Sequence, residues 1–301
     1  MKTLLVLLGP TGVGKTALGI KIAQHFSIPV ISADSRQIYK GLKIGTAAPT
    51  FKEQNLAQHF FIETKELDET YSAGQYEIDV INLLPELFKK SDFALMVGGS
   101  MMYIDAVCNG MDDIPNSDPE VRENLNRIYE KEGIESLQAM LKLLDPEHYQ
   151  RVDLKNYRRV IHAVEVCLLT GRPYSEILTA SRKKRDFNII KIGITRPTED
   201  LYNRINLRVN AMIAEGLEAE AADVYPQKQL NALNTVGYKE WFAYRDGEIE
   251  SKEKVIELIK RNSRHYAKKQ LTWFKRDESI KWFTPDDYQL IINHIEDICK
   301  N

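Results

Sequence analysis

Cysteine is scarce in this chain: Cys108, Cys167 and Cys299 are three in 301 residues, far apart and without a CxxC pair. That excludes a disulfide framework and a cysteine-built zinc module, and it makes a reducing compartment, the cytoplasm, the simplest expectation. No apolar run approaches the roughly 20 residues of a membrane span, so a soluble chain with no membrane partner is expected. The opening MKTLLVLLGP has the look of a secretion signal. Its apolar run is short, however, and passes into a glycine-rich loop without a small-residue cleavage site, so it reads as a buried strand. An excess of one charge is also missing. Forty-one Lys and Arg against 43 Asp and Glu leave a formal net charge of −2, which excludes a uniformly basic nucleic-acid coat and permits only local patches. Internal repeats, low-complexity tracts and flexible linkers are absent. One further absence concerns chemistry. A nucleotide hydrolase carries a metal-holding acid at the end of an apolar strand, yet the obvious strand FALMVGG, 93–99, runs into Gly98-Gly99-Ser100.

What remains is enough apolar sequence, 43% of a 34.6 kDa chain, to bury a substantial core. TLLVLL at 3–8 is followed by a glycine-rich turn and by KTALGIKIAQHF, whose apolar residues recur at helical spacing. IPVISA, FALMVGG and NIIKIGI (188–194) are further strand candidates. Strands alternating with helices predict an α/β fold with a P-loop NTPase-like parallel sheet flanked by helices, whose ligands lie at the carboxyl edge of the strands. Between 113 and 185 the pattern is helical throughout. A helix starts at Ser117 or Asp118 before Pro119, and NYRRVIHAVEVCLLTG places Val160, Ile161, Val164 and Leu168 on one face before stopping at Gly171. The expected organisation is a catalytic core of 1–112 and 186–301 interrupted by an all-helical insertion, 113–185. LYNRINLRVNAMIAEGLEAEAADV, 201–224, reads as one helix, with Arg204 and Arg208 four residues apart, either able to reach phosphate and a surface salt bridge the competing reading.

Gly9-Pro10-Thr11-Gly12-Val13-Gly14-Lys15-Thr16 is a complete G-x-x-x-x-G-K-[ST] loop in its confirming context, after a strand and opening a helix. Its backbone amides converge on phosphate, Lys15 adds a point charge, and the Thr16 hydroxyl is a candidate Mg²⁺ ligand. The loop alone leaves open whether its phosphate is hydrolysed, transferred or released. Asp34, at the end of the second strand, is the best remaining acid, with a turn or cap aspartate as the competing reading. KRNSRHYAKKQLTWFKR, 260–276, holds seven Lys and Arg and no acid, interleaved with Tyr266, Trp273 and Phe274. Arg261, Arg264 or His265, and Lys268 share a helical face suited to a phosphate backbone, while the aromatics either stack on bases or face the core. RVDLKNYRR (151–159) and SRKKR (181–185) add basic charge, and three such stretches beside a phosphate loop favour RNA over a small metabolite.

Taken together, GPTGVGKT, SADSRQIYKGLKIGTAAP, VGGSMMYIDA, RVNAMIAEGLEAEA, NTVGYKEW and YAKKQLTWFKR resemble, in order, the bacterial tRNA dimethylallyltransferases, also called tRNA isopentenyltransferases. The resemblance implies transfer of a dimethylallyl group from dimethylallyl diphosphate to N6 of the adenine 3′ of the anticodon; Mg²⁺ is the expected cofactor and a monomer the expected state. It also implies that Asp34 is the general base or hydrogen-bond acceptor at N6, with Ser100 beside the reaction centre. Lys15 and Arg208 would stabilise the diphosphate, which Gly9 through Thr16 cradle. Contacts to the tRNA anticodon stem-loop would come from Asp34, Ser35, Arg36, Gln37, Ser100 and Arg122, then from Arg158, Arg159, Val160, Ile161 and His162. A second group would be Val236, Gly237, Tyr238 and Lys239, with Lys268, Lys269, Gln270, Trp273 and Lys275, the inserted helices gripping the stem. The chain departs from the family pattern at Ser100, where Thr is usual, and at His162 and His265, where Arg is. An isopentenyltransferase acting on free adenylate, a small-molecule kinase or NTPase, and a non-catalytic RNA-binding protein are the competing readings. The helical insertion weighs against the first of these.

Overall fold

The computed structural model describes residues 1–179 and 183–300, so Ser181 and Arg182 of the SRKKR stretch lie outside the described residues. In chain order the elements are β1 (Thr3–Leu8), α1 (Lys15–Phe26), β2 (Val30–Ala33), α2 (Phe51–Leu56), β3 (His59–Phe60), α3 (Ala73–Phe88), β4 (Phe93–Gly98) and α4 (Met101–Asn109). Five helices follow, α5 (Pro119–Glu132), α6 (Ile134–Leu144), α7 (Pro146–Arg151), α8 (Tyr157–Thr170) and α9 (Tyr174–Ile177). The chain ends with β5 (Asn188–Ile194), α10 (Thr198–Glu215), α11 (Leu217–Val224), α12 (Tyr238–Arg245), α13 (Lys252–Phe274), β6 (Lys281–Phe283) and α14 (Tyr288–Lys300).

The six strands form one parallel sheet in the order β3-β2-β4-β1-β5-β6, with β1 at its centre. Central strands of a parallel sheet are buried on both faces, which is why TLLVLL is apolar without alternation. Leu4, Val6 and Leu8 pack with Tyr76, Val80 and Leu84 of α3 and Tyr103 and Ile104 of α4. Leu5 and Leu7 point the other way, into Leu18 and Ile22 of α1, Leu201 and Ile205 of α10, and Ile291 and Ile295 of α14. The sheet is thereby covered on both sides, and the polar or glycine-rich ends of β1, β2 and β4 gather at one edge. The register pairs Leu8 and Ala33 with the same Gly98, so the segments that follow these strands start side by side. Two short strands, β3 and β6, carry too few residues to show a period in sequence. The single helix expected over 201–224 is two: Gly216, at φ 104°, turns the chain between α10 and α11 because it alone lacks the Cβ that this backbone excludes.

The chain divides into two compact units, Met1–Cys108 with Arg185–Asn301, and Asn109–Lys184. The second unit is built from α5–α9 around Leu125, Leu137, Leu141, Val160, Ile161 and Val164. Asp118, rather than Ser117, caps α5, accepting from the Glu120 and Val121 amides at 2.9 and 3.0 Å. Gly171 ends α8 at φ 65°. On α8 the buried stripe runs through Cys167, and Leu168, expected on the inner face, is 47% exposed. Among the described residues no helix is long and apolar enough to cross a membrane.

Candidate active site

The phosphate loop spans Gly9–Gly14 between β1 and α1, and it is tied down by its own carbonyls and by arginines of the β5–α10 region. Gly14 at φ 110° opens α1, which presents the Lys15 and Thr16 amides at a helix N-terminus. Lys15 Nζ donates to Pro10 O at 2.8 Å. Arg196 Nε donates to Val13 O (3.1 Å), Arg204 Nε to Gly12 O (3.2 Å), and Arg208 Nη1 to Thr11 Oγ1 (3.2 Å). Arg204 and Arg208, four residues apart on α10, thus both reach the loop, but Arg204 is exposed and Arg208 is half-buried over it.

Asp34 follows β2. Its Oδ1 accepts the Arg36 amide at 2.8 Å and the Gln37 amide at 3.3 Å, so the turn-aspartate reading is realised by one oxygen. Among the described residues no hydrogen bond engages Oδ2, which leaves a second acceptor for a ligand. Ser100 is nearly buried, and its amide donates to Ala33 O at 3.1 Å while its hydroxyl accepts the Ser35 amide at 2.8 Å. The hydroxyl therefore fastens the turn that carries Asp34. Burial pulls the Lys15 ammonium down to about 7, the Arg208 guanidinium adding to the drop and Asp34 opposing it. Burial also lowers Arg208, again opposed by Asp34. Two desolvated cations face one carboxylate, an arrangement that lacks an anion.

Two cavities, of about 510 and 730 Å³, meet at this point. One is lined by Arg36, Val236, Lys239, His265 and Lys269, the other by Lys15, Thr16, Ile44, Ala47 and Val97. Thr11, Asp34, Thr46, Arg208, Met212 and Tyr266 line both. A ligand held on the phosphate loop and a second ligand entering beside α12 and α13 would therefore share Asp34 between them.

The remaining residues singled out in the sequence separate into surface and core. Lys268, Lys269, Lys275, Arg261 and His265 of the α13 region are exposed or partly so, whereas Arg264 turns inward to Asn206 Oδ1 at 2.7 Å. Gln270 is buried. It accepts the Thr11 amide (2.8 Å) and donates to Gly99 O (2.8 Å), bracing the phosphate loop against the end of β4. Trp273 donates to Asp105 Oδ2 at 2.7 Å, and Phe274 lies in the core, so these two aromatics are packing residues while Tyr266 faces the cavities. Arg36 is occupied by the Asn231 and Ala232 carbonyls, at 2.7 and 3.2 Å. Gln37 donates to Thr46 O and Ala47 O, both at 3.1 Å. Tyr238 is fully buried, so of the segment Val236–Lys239 it is Val236, Gly237 and Lys239 that line the cavity.

In the second unit Arg158 and Arg159 are exposed, while Val160 and Ile161 are core residues whose side chains are closed to RNA, because a basic patch on an amphipathic helix alternates with its buried stripe. Arg122 pairs with the buried Glu165, which also accepts from Ser117 at 2.5 Å. Burial lowers His162 below its ordinary 6.5, with Arg122 adding and Glu165 opposing, so this position carries a neutral imidazole at neutral pH. Sequence reasoning singled out none of Arg196, Thr46 and Glu220: they act through backbone atoms, and although Thr46 and Glu220 lie inside stretches that carry the resemblance, nothing there marks them individually.

Fold and site together define a phosphate-loop α/β protein with a second cavity that shares Asp34 and Arg208 with the first. The IPP transferase family model matches residues 37–277, and the chain belongs to that family. It is 53% identical to a tRNA dimethylallyltransferase 1 of Bacteroides fragilis, over 98% of each chain, and 55% identical to a tRNA dimethylallyltransferase 1 of Porphyromonas gingivalis, over 94% of each. Among solved structures, the tRNA isopentenylpyrophosphate transferase of Bacillus halodurans superposes with a TM-score of 0.72 at 34% identity, covering 98% of this chain and 96% of its own. A eukaryotic dimethylallyltransferase acting on tRNA gives 0.78 at 26% identity, covering 91% of this chain and 70% of its own.

Proposed function

We propose that this protein transfers the dimethylallyl group of dimethylallyl diphosphate to the exocyclic N6 of the adenine 3′ of the anticodon in tRNA, releasing diphosphate. The observation that carries the proposal is the shared wall. Asp34 and Arg208 line both the cavity over the phosphate loop and the cavity bordered by basic residues of α12 and α13. A transferase needs such a meeting point, since donor and acceptor must sit within bonding distance of one another.

The chemistry follows from the groups present. The N6 lone pair is delocalised into the adenine ring, so it is a poor nucleophile. As the N6–C1 bond forms, the C1–O bond breaks and its electron pair leaves with the diphosphate. The N6 proton passes to Asp34, whose Oδ2 is open while Oδ1 is anchored on two amides. Charge gathers on the departing diphosphate, where Lys15, Arg208 and the loop amides stabilise it. The described residues offer no cluster of three or more acidic, His or Cys groups, so Mg²⁺ would be held by the Thr16 hydroxyl together with the bound diphosphate and would supply charge neutralisation there. The adenine must leave the anticodon-loop stack to reach Asp34, and the exposed lysines of α13 with Arg158 and Arg159 of the insertion are the surfaces we assign to the RNA backbone. We take the enzyme to act as a cytoplasmic monomer.

Incubation with labelled dimethylallyl diphosphate and an unmodified tRNA anticodon stem-loop should label the RNA. Asp34→Ala should reduce turnover by about 10²–10⁴-fold while stem-loop affinity stays within about twofold. Preferential labelling of free AMP, or phosphate release from ATP without RNA, would overturn the proposal.

A further inference from the structure

The loop between β2 and α2 forms one wall of both cavities, yet it has no regular secondary structure to hold it. Gly45 and Thr46 border one cavity, and Ile44, Thr46 and Ala47 the other. Ala47 sits at φ 46°, a left-handed conformation that a residue with a Cβ adopts only where its surroundings hold it there. Besides the loop's own turn bonds, Ala47 N to Ile44 O and Ala48 N to Lys43 O, both at 3.0 Å, one side chain from a distant helix holds it. The carboxylate of Glu220, on α11, accepts the amides of Lys43 (2.9 Å) and Ile44 (2.8 Å) on Oε2, and the amide of Gly45 (2.8 Å) on Oε1. Oε1 also accepts the hydroxyl of the buried Tyr238 at 2.6 Å. The Tyr238 ring lies so close to Gly45 that a Cβ there would stand 2.6 Å from it, which seals the loop against α12.

We infer that Glu220 is a positioning residue for prenyl transfer, setting the loop carbonyls that seat Arg208 and Gln37. The inference rests on the proposed function above. Thr46 O accepts from Arg208 Nη2 at 3.4 Å and from Gln37 Nε2 at 3.1 Å, and Ala47 O accepts from Gln37 Nε2 at 3.1 Å. Gln37 in turn gives its amide to Asp34 Oδ1 at 3.3 Å. One carboxylate thus reaches the diphosphate side of the site through Arg208 and the acceptor side through Gln37, while touching neither ligand. Only an acceptor with two oxygens can take three convergent amides and a hydroxyl at once, since an amide in its place would turn N–H against N–H.

The test is a double-mutant cycle of Glu220→Gln with Arg208→Ala, read by steady-state kinetics at a temperature well below unfolding. Glu220→Gln alone should lower kcat/KM for dimethylallyl diphosphate about tenfold, with stem-loop affinity unchanged within about twofold. In the Arg208→Ala background the same change should cost only about threefold, because the route through Gln37 is then the one left. An equal loss in both backgrounds, or no loss in the first, overturns the inference and leaves Glu220 a structural cap. Should Glu220→Gln fail to fold, Tyr238→Phe, which deletes one of the four bonds, is put through the same cycle with an expected loss of about threefold. If the unsubstituted enzyme transfers no prenyl group, the proposed function fails instead. The cycle is then read by calorimetry with inorganic diphosphate, whose binding Glu220→Gln should weaken about tenfold only when Arg208 is present.

Discussion

Lys15 is buried and shares one carboxylate, Asp34, with the Arg208 guanidinium, and a cation in that position releases its proton easily. Its ammonium titrates near 7 in the free protein, against an ordinary 10.5, with burial as the main cause. A bound diphosphate supplies the missing countercharge and returns the group to the charged form across the neutral range. The sign follows: the charged form binds, so affinity for dimethylallyl diphosphate is full below about pH 7 and falls, by up to about tenfold per unit, as pH rises above it. Calorimetry in buffers of different ionisation heats should show proton uptake on binding that grows as pH rises from 7 to 8, and the uptake should shrink in Lys15→Met. At this scale the sequence pointed to Lys15, Thr16 and Asp34 by residue type, and all three line one cavity. It was silent where a side chain serves backbone atoms far along the chain. Gln270 sits inside a basic helix and reads as one more RNA contact, yet its amide is buried between Thr11 and Gly99.

Elements explain why those residues meet. Strand β4 lies between β1 and β2, and the approach of β2 to β4 depends on Gly98, where a Cβ would overlap the Ala33 backbone. Backbone atoms cannot rotate aside as a side chain can, so Gly98→Ala should destabilise the protein by about 1–3 kcal/mol. Thermal unfolding should show the loss, and turnover should fall further than stability accounts for, because the same overlap displaces Asp34. The glycine-rich end of β4, which in the sequence marks only a missing hydrolase acid, is in the structure what lets two strands deliver their loops to one place. Strands with long apolar runs were legible because burial on both faces of a parallel sheet leaves a continuous signal. β3, with two residues, and β6, with three, were not, since no period can be read from so short a run. The break at Gly216 was hidden for another reason: the helical pattern continues on both sides of it.

Over the whole molecule, the proposed function would divide its labour between the two units. The residues lining both cavities lie in the unit of 1–108 and 185–301, while Arg158 and Arg159 project from the helical unit of 109–184. Donor binding and RNA grip should therefore be separable. Arg158→Ala with Arg159→Ala should weaken stem-loop binding and make the slope of log affinity against log salt shallower by about 0.7–0.9 for each phosphate that these arginines neutralise, with dimethylallyl diphosphate affinity unchanged. Filter binding across a salt series, with calorimetry for the donor, checks both halves.

By itself the sequence determined the parallel α/β core, the interruption by helices, the phosphate loop and the acid at the end of the second strand. Each of these is written in short-range terms: a period, a spacing, or a residue type that few local conformations admit. Which residues stand together was decided only by the tertiary structure. Glu220 reaches Lys43, Ile44 and Gly45 across more than 170 positions, and Gln270 reaches Thr11 across 259. Hydrogen bonds from a side chain to a distant backbone leave no periodic trace, because nearly every residue offers the same amide and carbonyl. Packing alone chooses which of them is met.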